Sequence, residues 1–210
     1  MMLKREIVLA PGVRVLALVP AACWVINLLY NVRITGQPGV MMWMCHTTSL
    51  VLMVGLAGSF ASWIRLATIW ATVGLPVWLI SVAATNVSSR VAVPTHLLVP
   101  AVGWMVVAQL RMDRRPLDVH LMMAGGYLFI VQAISRFITD PRWNVNLVFR
   151  PYDPLAGVLK VGASANWVFM STLLLAQYAL GVLIFRRLFP APSEGTATPE
   201  APTSAAATAG

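Results

Sequence analysis

The stretch Leu66-Ala67-Thr68-Ile69-Trp70-Ala71-Thr72-Val73-Gly74-Leu75-Pro76-Val77-Trp78-Leu79-Ile80-Ser81-Val82-Ala83-Ala84-Thr85 carries no charged side chain. A hydrocarbon layer of ~30 Å is crossed by about 20 helical residues at ~1.5 Å each, so this run has the length of one membrane span. Inside a bilayer no water satisfies the peptide groups, and the run lacks the alternation of a barrel strand, so it must be a helix. Working outward, residues 15–31, 40–60, 93–109, 119–138 and 165–185 read the same way. Within these runs Arg136 is the one charged residue, a turn from the end of its span. Pro20, Pro76 and Pro100 fall inside spans, where they mean kinks that neighbouring helices tolerate. The sequence predicts an all-α polytopic membrane protein, a six-helix transmembrane bundle occupying residues 1–188.

Composition agrees. Of 210 residues, 59% are hydrophobic and 10% charged, where a soluble domain carries about 25% charged residues. That deficit cannot cover a globular surface in water and excludes a soluble enzyme. Lys and Arg number 15 against 7 Asp and Glu, for a net charge of +8. The basic residues lie in small groups between apolar runs rather than in one patch, so no nucleic-acid partner is expected. Cys23 and Cys45 are too few for a disulfide framework or a cysteine-based zinc site.

The basic residues also set an orientation. Lys4, Arg5, Arg14, Arg65, Arg111, Arg114, Arg115, Arg186 and Arg187 fall on one side, and Arg33, Arg90, Arg136, Arg142, Arg150 and Lys160 on the other. The positive-inside rule then puts both termini in the cytoplasm of a multi-pass plasma-membrane protein. No small-residue cleavage site follows the first run, which is read as an anchor. Residues 189–210, rich in Ala, Thr, Pro and Ser without periodicity, read as a disordered cytoplasmic tail.

In such a chain the informative residues are polar ones at helix depth. The second span opens with Met44-Cys45-His46-Thr47-Thr48-Ser49 and the fourth with Pro94-Thr95-His96, both on the outer side. Counting helical rise from 40 and 93 puts Cys45 ~7 Å and His96 ~5 Å deep, a thiol and an imidazole at one level. Cys45, Thr48, Ser49 and Leu52 share one stripe, while His46 points ~100° away. A base for the Cys45 thiol therefore comes from another helix, His96, and His46 suits an oxyanion or headgroup. Each residue also has a plainer reading: Cys45 as packing, Thr48 and Ser49 as close helix contacts, His96 as an interfacial residue. His120, beside Asp118, reads as a solvated edge pair on the inner side, which holds nothing comparable to the outer cluster.

The connection 139–164 is too polar to span and too apolar for a plain linker. It contains Asn144, Asn146, Arg150 and Asp153 among Trp143, Leu147, Val148, Phe149, Tyr152 and Leu155. It reads as an ordered outer lid whose Arg150 binds a phosphate and whose Asn144 and Asn146 supply neutral hydrogen bonds. An interfacial loop with snorkelling arginines would look the same.

The order Cys45-His46, then His96, then Asn146-Leu147-Val148-Phe149-Arg150-Pro151 and Asp153-Pro154-Leu155 resembles the transmembrane protein 164 and bacterial YwaF-type family, over about residues 41–178. The resemblance implies a compact helical bundle. The eukaryotic branch is regarded as a cysteine-dependent acyltransferase acting on glycerophospholipids. By position, Cys45 matches its nucleophile, His96 its partner histidine and His46 a histidine of both branches. The bacterial branch usually lacks a cysteine before that histidine, so Cys45 sides with the acyltransferases. Here Gly157-Val158-Leu159-Lys160 replaces the Gly-Pro-Trp-rich segment of the family.

The expected function is an integral membrane acyltransferase or acyl hydrolase using a Cys45 thioester on membrane phospholipid or lysophospholipid at the outer leaflet. Two other classes stay open: a small transporter built as three spans plus three inverted ones, and a non-catalytic membrane subunit. No cofactor is expected, and His46, His96 and Asp153 lack the tight spacing of a metal site.

Overall fold

The computed structural model describes residues 9–36, 38–85, 91–139 and 163–192. Among them no strand occurs, and the regular elements are all helical. The elements are α1 (Pro11–Val15), α2 (Leu18–Tyr30), α3 (Met44–Gly58), α4 (Ala61–Thr85), α5 (Ala92–Leu110), α6 (Leu117–Ile138) and α7 (Ala163–Leu188). Five stretches are long and apolar enough to cross a membrane: Pro11–Ile34, Ala61–Ile80, Ala92–Leu110, Leu117–Ile138 and Ala165–Leu188. By length and composition the chain is a multi-pass membrane protein.

Local chemistry explains the interruptions. Pro20 has no N–H to give the Leu16 carbonyl, and the chain turns at Leu16–Ala17, between α1 and α2. A π-helical turn, Asn31–Thr35, then prolongs α2 and stops at Gly36, whose φ of 64° is the left-handed conformation open to glycine. The second expected span is the one that differs. Residues Pro38–Met42 form a 3-10 turn, Trp43 sits in extended conformation, and α3 has only 15 residues. That is ~22 Å of helix, short of a ~30 Å core.

α3 and α4 are joined by the tightest connection in the fold. The Phe60 N–H bonds the Gly55 carbonyl (2.8 Å) and the Ser59 N–H the Leu56 carbonyl (3.3 Å), with Ser59 left-handed at φ 58°. This is a Schellman closure carried by a serine. α4 lies at the centre, packed by α3, α5 and α7. Each neighbour approaches it with a glycine. A Cβ on Gly55 would meet Ile64, one on Gly103 would collide with the Thr68 hydroxyl, and one on Gly181 would press on Ile69 and Val73. The core around α4 holds Leu52, Leu56, Ile64, Ile69, Val99, Val106, Tyr178 and Phe185. Large apolar residues such as Leu18, Met122, Phe137 and Val168 stay exposed on the outside, as a lipid-facing surface requires.

Candidate active site

At one end of the bundle, α2, the start of α3, α4, α5 and α7 enclose a cavity of about 340 Å³. Its wall brings together Cys45, His46 and His96, three residues far apart or differently directed along the chain. No Lys, Arg, Asp or Glu stands among its described lining residues.

Each of the three has a definite local setting. Cys45 and His46 lie in the first turn of α3, where the His46 N–H already bonds the Trp43 carbonyl at 2.9 Å. Cys45 is half-buried, Cys23 is buried, and both thiols are free. The His96 ring stacks on Trp78 of α4, with centroids 4.4 Å apart and planes 9° from parallel. Its Nδ1 lies 2.9 Å from the Ala92 carbonyl. A carbonyl can only accept, so Nδ1 carries the proton of the neutral ring and Nε2 keeps the lone pair. His46 is 6% exposed, and its Nδ1 is buried with no hydrogen-bond partner among the described residues.

The rest of the α3 stripe is structural. The Ser49 hydroxyl donates to the Cys45 carbonyl (2.9 Å), and Tyr127 of α6 shares its hydroxyl with Thr47 (2.6 Å) and Thr48 (3.1 Å). These bonds tie the cysteine-bearing turn to α6. On the other flank, Asn27 donates to Thr95 (2.7 Å) and to the Cys23 carbonyl (2.8 Å), fastening α2 to α5 one residue before His96. Asn27 and Asn31 line the cavity too, as does Gln177 near the middle of α7, whose amide makes no hydrogen bond with the described residues. Sequence reasoning passed over all three, although an Asn pair at i, i+4 and a lone Gln in apolar spans were the available signal.

Asn144, Asn146, Arg150 and Asp153, and the lid as a whole apart from its ends, lie outside the described residues, as does the tail from 193. Thr139 closes α6 and Ala163 already belongs to α7. Among the described residues no cluster of His, Cys, Asp or Glu is arranged to hold a metal ion.

The opposite end corrects the expectation for His120. It is buried, and it pairs not with Asp118 but with Asp113, Nε2 to Oδ1 at 2.8 Å. Asp113 also holds Arg65 at 3.1 Å and Arg115 at 3.6 Å. Arg65 donates from Nε to the Arg111 carbonyl (2.9 Å), Arg115 to the Ser62 hydroxyl (2.9 Å), and Arg186 to the Arg115 carbonyl. Asp118 instead accepts the Val119 N–H (2.9 Å) at the start of α6. Burial alone would raise the Asp113 pKa, but the His120 hydrogen bond and the charges of His120, Arg65 and Arg115 outweigh it and hold the carboxyl below its ordinary range.

Against family models, curated proteins and solved structures the chain finds no match. The functional reading therefore rests on the cavity.

Proposed function

We propose that the protein is an integral membrane acyltransferase, or acyl hydrolase, acting on glycerophospholipids through a thioester on Cys45. The observation that carries this reading is the shared cavity wall: a free thiol and an imidazole whose Nε2 is left unprotonated by the Ala92 contact. In the proposed reaction His96 Nε2 takes the Cys45 proton and the sulfur attacks the ester carbonyl of a bilayer lipid. The His46 ring, which lines the cavity, and the Cys45 backbone N–H donate to the oxyanion. The carbon–oxygen bond breaks, His96 returns the proton to the departing glyceryl oxygen, and the acyl group rests on sulfur. A lysolipid hydroxyl or water then takes the acyl group. Arg150, Asn144, Asn146 and Asp153 are assigned to the headgroup from the sequence.

The same proposal counts α3 with its preceding turn as a short sixth span, puts both termini in the cytoplasm and opens the cavity toward the outer leaflet of the plasma membrane. It also keeps the kinship with the transmembrane protein 164 type family. The test uses the full chain in lipid nanodiscs with mixed phospholipid and lysophospholipid. Mass spectrometry reads acyl exchange and the acyl adduct on Cys45. Cys45→Ala loses exchange by at least about a thousandfold, as for other nucleophile deletions, and His96→Ala by about a hundredfold or more. Undiminished exchange by Cys45→Ala removes the thiol from the mechanism.

A further inference from the structure

The cavity does not stop at the thiol. On α4 its wall is made by Trp70, Gly74 and Trp78, spaced i, i+4, i+8 and so on one face of the helix, with Val73 and Val77 beside them. Trp78 stands at the level of His96, and Trp70 lies ~12 Å further along the helix axis. Leu174 and Gln177 of α7 line the same space, so the chamber runs from the α3 N-terminus toward the middle of the bundle. Gly74 stands between the two tryptophans on that wall. Added to Gly74, a Cβ would meet nothing within 4 Å, whereas one on Gly103 or Gly181 would strike a neighbouring helix. A glycine between two tryptophans leaves a notch one side chain deep. A helix interior favours alanine over glycine by about 1 kcal/mol, so the notch is not explained by helix formation.

We infer that this notch is the acyl-chain channel of the site and that Gly74 sets the chain length it accepts. The inference rests on the proposed acyl-transfer reading and deepens it. Three observations point to an apolar chain as the occupant. The channel begins at Cys45, where the carbonyl of a bound ester would sit. Its walls beyond that point are mainly valine, leucine and indole, with no charged side chain among the described lining residues. His46 and the Cys45 thiol stand together on one part of its wall, so a bound ester would meet polar groups at its carbonyl and apolar walls along its chain. During transfer the acyl carbonyl carbon exchanges its bond to glyceryl oxygen for one to Cys45 sulfur. The thiol proton leaves with the glyceryl alcohol, and the chain stays in the channel throughout.

The test compares wild type, Gly74→Ala and Gly74→Leu, each as the full chain in nanodiscs, with dioctanoyl and dipalmitoyl phosphatidylcholine. Intact-mass analysis reads the Cys45 adduct from each lipid. Each methylene kept out of an apolar site weakens binding about fourfold. The palmitoyl-to-octanoyl ratio should therefore fall at least about tenfold in Gly74→Leu and by less in Gly74→Ala, which guards against a leucine that disturbs folding. A ratio equal to that of wild type in both variants overturns the inference while leaving the thioester intact. If wild type forms no adduct with either lipid, the acyl-transfer reading fails, and the channel is judged by a second measurement. A palmitoyl lipid with a photoreactive chain should label Trp70, Gly74 or Val77 in wild type and lose that labelling in Gly74→Leu. Equal labelling in both, or none in wild type, overturns the channel as well.

Discussion

The two ends of the bundle use the same kinds of residue to opposite effect. At one end Asp113 gathers Arg65, Arg115 and His120, while Arg65 binds the Arg111 carbonyl, Arg115 the Ser62 hydroxyl, and Arg186 the Arg115 carbonyl. At the other, Cys45 keeps a free thiol, His96 an unprotonated nitrogen, and His46 a buried nitrogen with no partner, around empty space. One histidine is a strut and two are unspent. A buried polar group without a partner destabilises a fold by roughly 1–3 kcal/mol, and both ends hold one, His46 Nδ1 at the open end and Arg186 Nε at the closed end. The ends differ in the space beside those groups, because the cavity at Cys45, His46 and His96 leaves room for a ligand.

The largest effect should come from breaking the closed end. Asp113→Ala leaves two guanidinium groups and an imidazole without their shared anion, and stability should drop by about 3 kcal/mol. Thermal unfolding in detergent would measure it. The hub also makes a pH prediction. The folded Asp113 pKa lies below its ordinary value of 3.8. The carboxylate therefore contributes its stability above that value and loses it as pH falls through the lower, folded one. Asp113→Asn should flatten the acid limb of the stability curve. A wild-type acid limb retained in Asp113→Asn would show that the carboxylate is not what the arginines lean on. Acyl exchange, being at the other end, should fall only as far as folding does.

A second contrast lies on the glycines around and within α4. Gly103→Ala drives a methyl into the Thr68 hydroxyl, which is already committed to the Ile64 carbonyl at 2.6 Å, and overpacking of this kind destabilises by about 2 kcal/mol. Gly74→Ala meets open space and should stabilise the helix by about 0.5 kcal/mol. The pair differs in sign, which thermal unfolding resolves. Equal losses for both would mean that the notch at Gly74 is filled, and the channel argument would go with it.

How much of this could be read in advance depends on whether a feature is local. A run such as 66–85 announces a span because length and apolarity are properties of the segment itself, and α4 to α7 fall on the expected runs with only their ends extended. The run 40–60 misled because apolarity says nothing about Trp43, which breaks the helix before Met44 while remaining compatible with a membrane. The helix that carries Cys45 and His46 begins only at Met44, and the residues grouped by depth arithmetic, Cys45, His46 and His96, line one cavity. Asp113 was illegible for another reason. Its partners Arg65, Arg115 and His120 are ordinary flanking charges until three separate elements bring them to one carboxylate. Gly74 was illegible because a notch is defined by what neighbouring helices leave vacant.

The sharpest prediction sets two histidines against each other. His46→Phe keeps a planar ring, with room for its extra atom in the adjoining cavity, and removes a buried nitrogen that has no partner, so it should raise stability by about 1 kcal/mol. His120→Phe, the same exchange at the closed end, takes a donor from Asp113 and should lower stability. If His46 donates to the oxyanion, its replacement should also slow acyl exchange by about a hundredfold, the usual scale for losing one such donor. Stability and activity would then move in opposite directions at His46 and together at His120. A stability loss in His46→Phe would mean that the nitrogen is bonded in the folded protein and contributes to holding it together. A gain in stability with exchange unchanged would leave the Cys45 backbone N–H as the oxyanion donor and reduce His46 to a wall of the cavity.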